Sequence, residues 1–178
     1  MNSKQKMFAK LAGSLAQAAN QICRSLVKPK PVSRTKEQIR EFINTLDLGV
    51  NPVLSDRLFY VDTWDKWLKA ITIDWTNLHK YIPDSHDCNN FADSFNARMA
   101  EIYGWNTAGR LSVELRNPKT GAHIGYHRAS IIIALVNGEL TAFCYDPMEK
   151  MRDQYDKIED AFIRINDWQY VPNYISFN

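Results

Sequence analysis

Phe8, Leu11, Ala12, Leu15, Ala19, Ile22 and Leu26 recur at three- and four-residue steps, which predicts one amphipathic helix over residues 4–27 with lysines on its other face. Lys28-Pro29-Lys30-Pro31 stops it and reads as a basic linker. Thr35-Lys36-Glu37-Gln38 ahead of Ile39, Phe42, Ile43 and Leu46 has the form of a capped start and predicts a short helix ended near Gly49. Residues 57–61 read as a short strand or a helical turn. Asp62 or Thr63 can cap a further helix whose stripe is Trp64, Trp67, Leu68 and Ile71, and Trp75 and Leu78 carry the apolar pattern on toward Pro83. Few basic residues separate Trp64, Trp67 and Trp75, so these rings read as core and not as a nucleic-acid stacking platform.

After Pro83 the signals sharpen. Asp84, Ser85 and Asp87 are capping types, and Cys88, Phe91, Ala92, Phe95, Met99, Ile102 and Tyr103 follow at helical spacing until Gly104 ends the run. Cys88 falls in the first turn, on the inward stripe. Downstream the period becomes strand-like. Residues 110–116 alternate, Asn117–Gly121 is a turn, and His127 to Val136 is a β-branched run closed by Asn137-Gly138, the strongest short-range hairpin signal. Glu139 to Asp146 returns as the partner strand. Residues 156–165 read as a last helix and Trp168 to Phe177 as a last strand. Helices first and antiparallel strands after make an α+β fold.

Composition adds a division of charge. The chain has 178 residues, 45% of them hydrophobic, enough for one packed domain with an appended arm. Residues 1–36 hold eight Lys or Arg and no acid, so the rest of a chain with net charge +2 carries −6. The expected division is a basic helical arm and linker over 1–34 and a body over 35–178. The arm, acid-free and amphipathic, is suited to a protein partner or a membrane surface and also resembles a transit peptide. The acidic body argues against specific nucleic-acid binding. Ala16-Gln17-Ala18 is a faint signal-peptidase site, but Lys10 and Gln17 interrupt the apolar stretch it needs, and the longest apolar run, Ile131 to Val136, is too short to cross a bilayer. Cys23, Cys88 and Cys144 are too few and scattered for a disulfide framework or a zinc site, so free thiols in a reducing compartment are expected, with no metal or cofactor.

The hairpin places the chemistry. With Asn137-Gly138 as a two-residue loop, Val136 faces Glu139, and carrying the register outward puts Asp146 opposite Ala129 and His127 opposite Met148. His127, Ala129, Cys144 and Asp146 then share one face, and His127 and Asp146 are diagonal neighbours roughly 7–8 Å apart at the backbone. That is an imidazole with an orienting carboxylate. If this face packs on the helix that begins at Cys88, the thiol meets the other ring nitrogen. The helix amino end favours a thiolate, the imidazolium favours it further, and first-turn N–H groups can receive an oxyanion. A cysteine on an apolar stripe is more often a small core residue, and Cys144 is read that way. His79, His86 and His123 read as surface or loop residues.

The segments Tyr81-Ile82-Pro83-Asp84-Ser85-His86-Asp87-Cys88-Asn89-Asn90-Phe91-Ala92, Gly125-Tyr126-His127-Arg128-Ala129 and Cys144-Tyr145-Asp146-Pro147 together resemble the motif set of small papain-like cysteine peptidases. The bacterial transglutaminase-like peptidases are similar, as are the peptidase domain joined to a fungal galactose-binding agglutinin and its phage-encoded relatives. The resemblance spans about residues 75–150 and implies Cys88 as nucleophile, His127 as base and Asp146 as orienter. Asn89 and Asn90 stand where those families carry acidic residues, and Arg128 is inserted between His127 and Ala129. No glutamine precedes Cys88 as a second oxyanion donor, which leaves Asn77, His86 or Trp75 for that role, and Asn77, His86 and Asn89 as the binding residues.

Two functions follow from different classes. One is a thiol hydrolase acting on a peptide or protein substrate through acyl transfer to Cys88. The other is a papain-like scaffold without turnover, a structural or binding component tethered by the basic helix, for example of a phage particle. The expected setting is a reducing cytoplasm or a phage virion, not the secreted space.

Overall fold

The computed structural model describes residues 2–78, 82, 87–148, 155–158, 163–165 and 168–177. Helix α1 (Ser3–Val27) starts on an Asn2–Gln5 capping box and ends at Lys28 in the left-handed conformation. A short strand β1 (Val32–Thr35) leads into α2 (Lys36–Thr45), whose capping box is the predicted Thr35–Gln38 pair. Then come β2 (Val53–Leu54), β3 (Leu58–Val61), α3 (Trp64–Ile73), a 3-10 turn at Thr76–Leu78, and α4 (Cys88–Tyr103). The rest is strand: β4 (Ala108–Arg116), β5 (His123–Val136), β6 (Glu139–Tyr145), β7 (Tyr155–Lys157), β8 (Ile163–Ile165) and β9 (Trp168–Phe177). The fold is α+β.

The main sheet runs β2-β9-β4-β5-β6-β7, with β8 also on β9, while β1 and β3 form a separate antiparallel ribbon. All pairings in the main sheet are antiparallel except β2 with β9. The β5–β6 hairpin has the predicted register from Val136↔Glu139 to Ser130↔Tyr145. Asn137 at φ 53° and Gly138 at φ 89° give the turn the two positive φ values that match strand twist in a two-residue loop. One expectation is corrected at this level. The segment expected as a last helix contains β7 and β8, because the free edge of β6 takes up residues 155–157 (Phe143↔Lys157, Tyr145↔Tyr155) and backbone pairing outweighs local spacing. His123, expected at the surface or in a loop, opens β5 opposite Arg116 and is exposed there.

Strand alternation divides the core in two. Leu111, Val113, Ala129, Ile131, Ile133, Ala142, Cys144 and Ile175 face Ile39 and Ile43 of α2 together with Phe59 and Val61 of β3. On the other face Ala108, Ile132, Ala134, Phe143 and Tyr145 pack on Phe95, Met99 and Ile102 of α4 and Trp67 and Ile71 of α3. Trp67 is fully buried, its ring tilted against that of Trp105 at 4.4 Å, and Trp64 is partly buried, but Trp75, read as core with them, is corrected: it is 48% exposed. Gly109 is needed where β4 meets β9, since a Cβ there would lie 2.6 Å from the Ser176 carbonyl oxygen.

Among the described residues, the contacts of α1 with this body come from its last turns. Val27 is buried, Arg24 Nη1 donates to the Ile102 carbonyl at 2.9 Å, and Asn20 Nδ2 donates to Glu101 at 3.1 Å. Its apolar stripe points elsewhere: Phe8, Leu11, Leu15, Ile22 and Leu26 are 56–63% exposed. The chain then enters the body with the Lys30 N–H donating to Asp62 Oδ2 at 2.6 Å, and β1, which pairs with β3, includes residues on both sides of the expected division at 34/35.

Candidate active site

Cys88 is the first residue of α4, fixed there by Asp87. The Asp87 carboxylate accepts the Asn89 N–H at 2.9 Å, and the Asn90 side chain accepts the Asp87 N–H at 3.1 Å. The helix end is thereby set, and the Cys88 thiol stands half-buried at its rim. His127 lies in β5 and is 9% exposed at its side chain. Asp146 follows the last residue of β6 and is 1% exposed. The structure brings these three together, with His127 Nε2 donating to Asp146 Oδ2 at 2.6 Å and the other ring nitrogen left for the Cys88 sulfur, with which the ring hydrogen-bonds.

The route by which the thiol reaches the ring differs from expectation. The face carrying His127, Ala129, Cys144 and Asp146 is not the face that packs on α4; the stripe of α4 rests on the opposite one. Cys88 reaches the imidazole around the open edge of β5 instead. Pairing of β5 with β6 stops at Ser130↔Tyr145, so the Arg128 N–H, which points toward that side, has no strand partner and donates to the Cys88 sulfur. The helix amino end, a strand edge and the residue after β6 therefore meet at one point. Arg128 thus serves the thiol through its backbone.

Electrostatics follow from these contacts. The Cys88 thiol is held below its ordinary pKa, first by the hydrogen bond with His127; partial burial opposes this, the Arg128 N–H and the imidazolium charge assist, and the Asp87 carboxylate works weakly against. Burial pushes His127 toward its neutral form, but hydrogen bonds to Asp146 and Cys88 and their negative charges outweigh it and raise its pKa to about 9. Both shifts favour the thiolate–imidazolium form of the pair over the neutral one. Asp146 is itself secured: Oδ1 accepts the Met148 N–H at 3.0 Å, and Oδ2 also accepts the Tyr170 hydroxyl at 3.3 Å. The Tyr170 ring stands edge-on to the imidazole, 5.7 Å between centroids, and covers it from solvent.

A cleft of about 400 Å³ opens over the thiol, lined by Asp87, Cys88, Asn89, Ser112, Val113, Tyr126, His127, Arg128 and Asn173. Asn89, expected as a binding residue, is among the residues that line it. His86 lies outside the described residues, and the side chain of Asn77 does too, although its backbone forms part of the 3-10 turn. Trp75 is not among the residues that line the cleft. Its ring is the platform for the Arg98 guanidinium, 4.4 Å from the centroid, which in turn donates to Asp74 at 2.8 Å. Tyr170, Ser112 and Asn173 were not singled out by the sequence. They come from β9 and β4, and nothing local in their segments announces that β9 lies against β4.

No protein-family model matches the chain, and no curated protein matches it. Solved structures do. The chain is similar to the Polyporus squamosus lectin PSL1a in complex with E64, at 19% identity over 82% of this chain and 50% of that one, with a TM-score of 0.51. It is also similar to Polyporus squamosus lectin bound to the human-type influenza-binding epitope Neu5Aca2-6Galb1-4GlcNAc, at 15% identity over 82% of this chain and 49% of that one, with a TM-score of 0.59. The chain thus spans about half the length of the lectin chains it matches. Identities this low show shared fold and nothing finer, and on that footing the chain shares the fold of part of a fungal agglutinin.

Proposed function

We propose that this protein is a thiol-dependent hydrolase with a papain-like core, cleaving an amide bond of a peptide or protein substrate. The observation that carries the reading is the continuous chain from Cys88 through the His127 ring to the buried Asp146 carboxylate, with the helix amino end beside the sulfur. The Cys88 thiolate attacks the substrate carbonyl carbon, forming the C–S bond while the carbonyl π electrons move onto oxygen. The Cys88 backbone N–H in the first turn of α4 is a donor for that oxyanion. His127 gives its proton to the leaving amine as the C–N bond breaks. It then takes a proton from water, whose oxygen attacks the thioester and releases the acid and the thiol. Asp146 keeps the ring oriented and its charged form stable throughout.

E64 is bound in one of the similar structures, which supports a thiol-directed reading here, and the glycan in the other is a property of that lectin. To α1, with its acid-free sequence and exposed stripe, we assign attachment to a protein partner or a membrane surface, not chemistry. The test is alkylation. Cys88 should label with iodoacetamide at pH 6–7 faster than Cys23 and Cys144, should take up E64, and should need higher pH in His127→Ala. Cys88 labelling no faster than Cys23 at pH 6.5, and indifferent to His127→Ala, would leave the scaffold without turnover as the better reading.

A further inference from the structure

Beyond the nucleophile, the cleft contains a cation that the hydrolytic steps do not use. Arg128 follows His127 in β5, so its side chain leaves the strand on the opposite face, the one on which α4 sits. It lines the cleft beside the thiol with Ser112, its register partner on β4, to whose Oγ its Nε donates at a long 3.4 Å. It forms no ion pair with any described residue. Its neighbours on the same sheet face do: Arg110 grips Asp93 with two bonds of 2.5 and 3.0 Å, and Arg116 grips Glu114 with two of 3.0 and 3.1 Å. The carboxylate nearest the cleft, Asp87, is engaged by the Asn89 N–H in the helix cap. A partly buried guanidinium with its fork open toward a cleft is a receptor for a planar anion, because two parallel N–H groups match a carboxylate.

Resting on the hydrolase reading above, we propose that Arg128 is a specificity-determining residue that binds a carboxylate on the substrate, so that the protein acts on acidic peptides carrying an Asp- or Glu-type side chain beside the scissile amide. The Arg128 backbone serves the sulfur while its side chain reads the substrate, so one residue couples recognition to the nucleophile. Tyr126, 75% exposed on the same rim, supplies an apolar surface for the chain that bears the acid.

The experiment compares two alkylating agents of nearly equal size and opposite demand, anionic iodoacetate and neutral iodoacetamide, on the full chain, reading Cys88 and Cys23 separately by peptide mass spectrometry. The iodoacetate-to-iodoacetamide rate ratio is taken within each variant, so changes in thiolate content cancel. The ratio at Cys88 should exceed that at Cys23 by about tenfold, the effect of unit charges a few ångströms apart at a partly solvated site. Arg128→Gln should lower it by about three- to tenfold, and Arg128→Lys should restore most of it. His127 contributes equally in all three proteins. A fast reaction of Cys88 with iodoacetamide whose ratio does not fall in Arg128→Gln overturns the assignment of Arg128 and leaves the hydrolase reading standing. Cys88 slow with both reagents removes the hydrolase reading and this proposal with it.

Discussion

Asp146→Asn is the substitution that separates charge from shape at this site. The side chain keeps its volume, but it loses the negative charge and one acceptor. Asp146 now accepts from three donors: the Met148 N–H on Oδ1, and His127 Nε2 and the Tyr170 hydroxyl on Oδ2. An amide has one oxygen and one NH2, so if the oxygen stays with Met148, the NH2 points at His127 and the ring must turn its bare nitrogen toward it. The remaining N–H then faces the sulfur, which is the wrong tautomer for taking a thiol proton. Holding His127 at about 9 in place of its ordinary 6.5 represents ~3 kcal/mol of preference for the imidazolium in the folded state. Asp146 and Cys88 share that effect, so the variant should forfeit ~1–2 kcal/mol, and Cys88 labelling should move up by about one pH unit and slow about tenfold at pH 7. Stability gives an independent reading. A raised imidazole pKa stabilises the fold fully below pH 6.5, and that contribution is lost as pH climbs through about 9. The depressed Cys88 pKa acts with the opposite sign over the same range, so the slope is read in a Cys88→Ala background, where urea unfolding should lose stability above pH 6.5 and adding Asp146→Asn should flatten the profile. An unchanged alkylation profile together with an unchanged stability slope would refute the reasoning.

Three further substitutions probe other parts of the argument. Tyr170→Phe removes one donor to Asp146 while keeping the ring that covers His127, and should cost ~0.5–1.5 kcal/mol in thermal unfolding with a small change in the pH profile of Cys88 labelling. Asp87→Ala should act with opposite signs in two assays: the loss of the α4 cap should destabilise by ~1 kcal/mol in denaturant titration, while removal of the nearby negative charge should ease Cys88 labelling at low pH. Gly109→Ala forces a Cβ to within 2.6 Å of the Ser176 carbonyl oxygen and 2.7 Å of the Phe177 ring, and should destabilise by ~1–3 kcal/mol; a melting temperature equal to that of the native sequence would show that β9 can retreat without cost.

Local signals were legible in the sequence where local physics decides. The Thr35–Gln38 box, the Asp87 cap and the Asn137-Gly138 turn each satisfy their own backbone groups within a few residues, so they appear at the predicted positions. The hairpin register then carries His127 and Asp146 to one face without any knowledge of the rest. What could not be read was set by long-range order. Which face of the sheet α4 covers depends on α2 and β3 claiming the other, and an apolar run such as Ile131-Ile132-Ile133 serves both faces equally well. Residues 155–157 became a strand because β6 had a free edge, and Tyr170 reached Asp146 because β9 inserts between β2 and β4. Neither fact has a signature in its own segment.

The open edge of β5 has a consequence for when this thiol acquires its depressed pKa. Its activating groups belong to three pieces of chain: the amino end of α4, the His127 ring and Arg128 N–H of β5, and the Asp146 carboxylate after β6, so no one piece holds them all. A nascent or partly unfolded chain with the hairpin formed but α4 undocked would display an ordinary, mostly protonated cysteine. One with α4 formed but no sheet would lack the imidazole and the Arg128 N–H alike. Completion of the tertiary fold is thus the arming step, and Cys88 alkylation near pH 6.5 doubles as a clock for the last docking event in refolding.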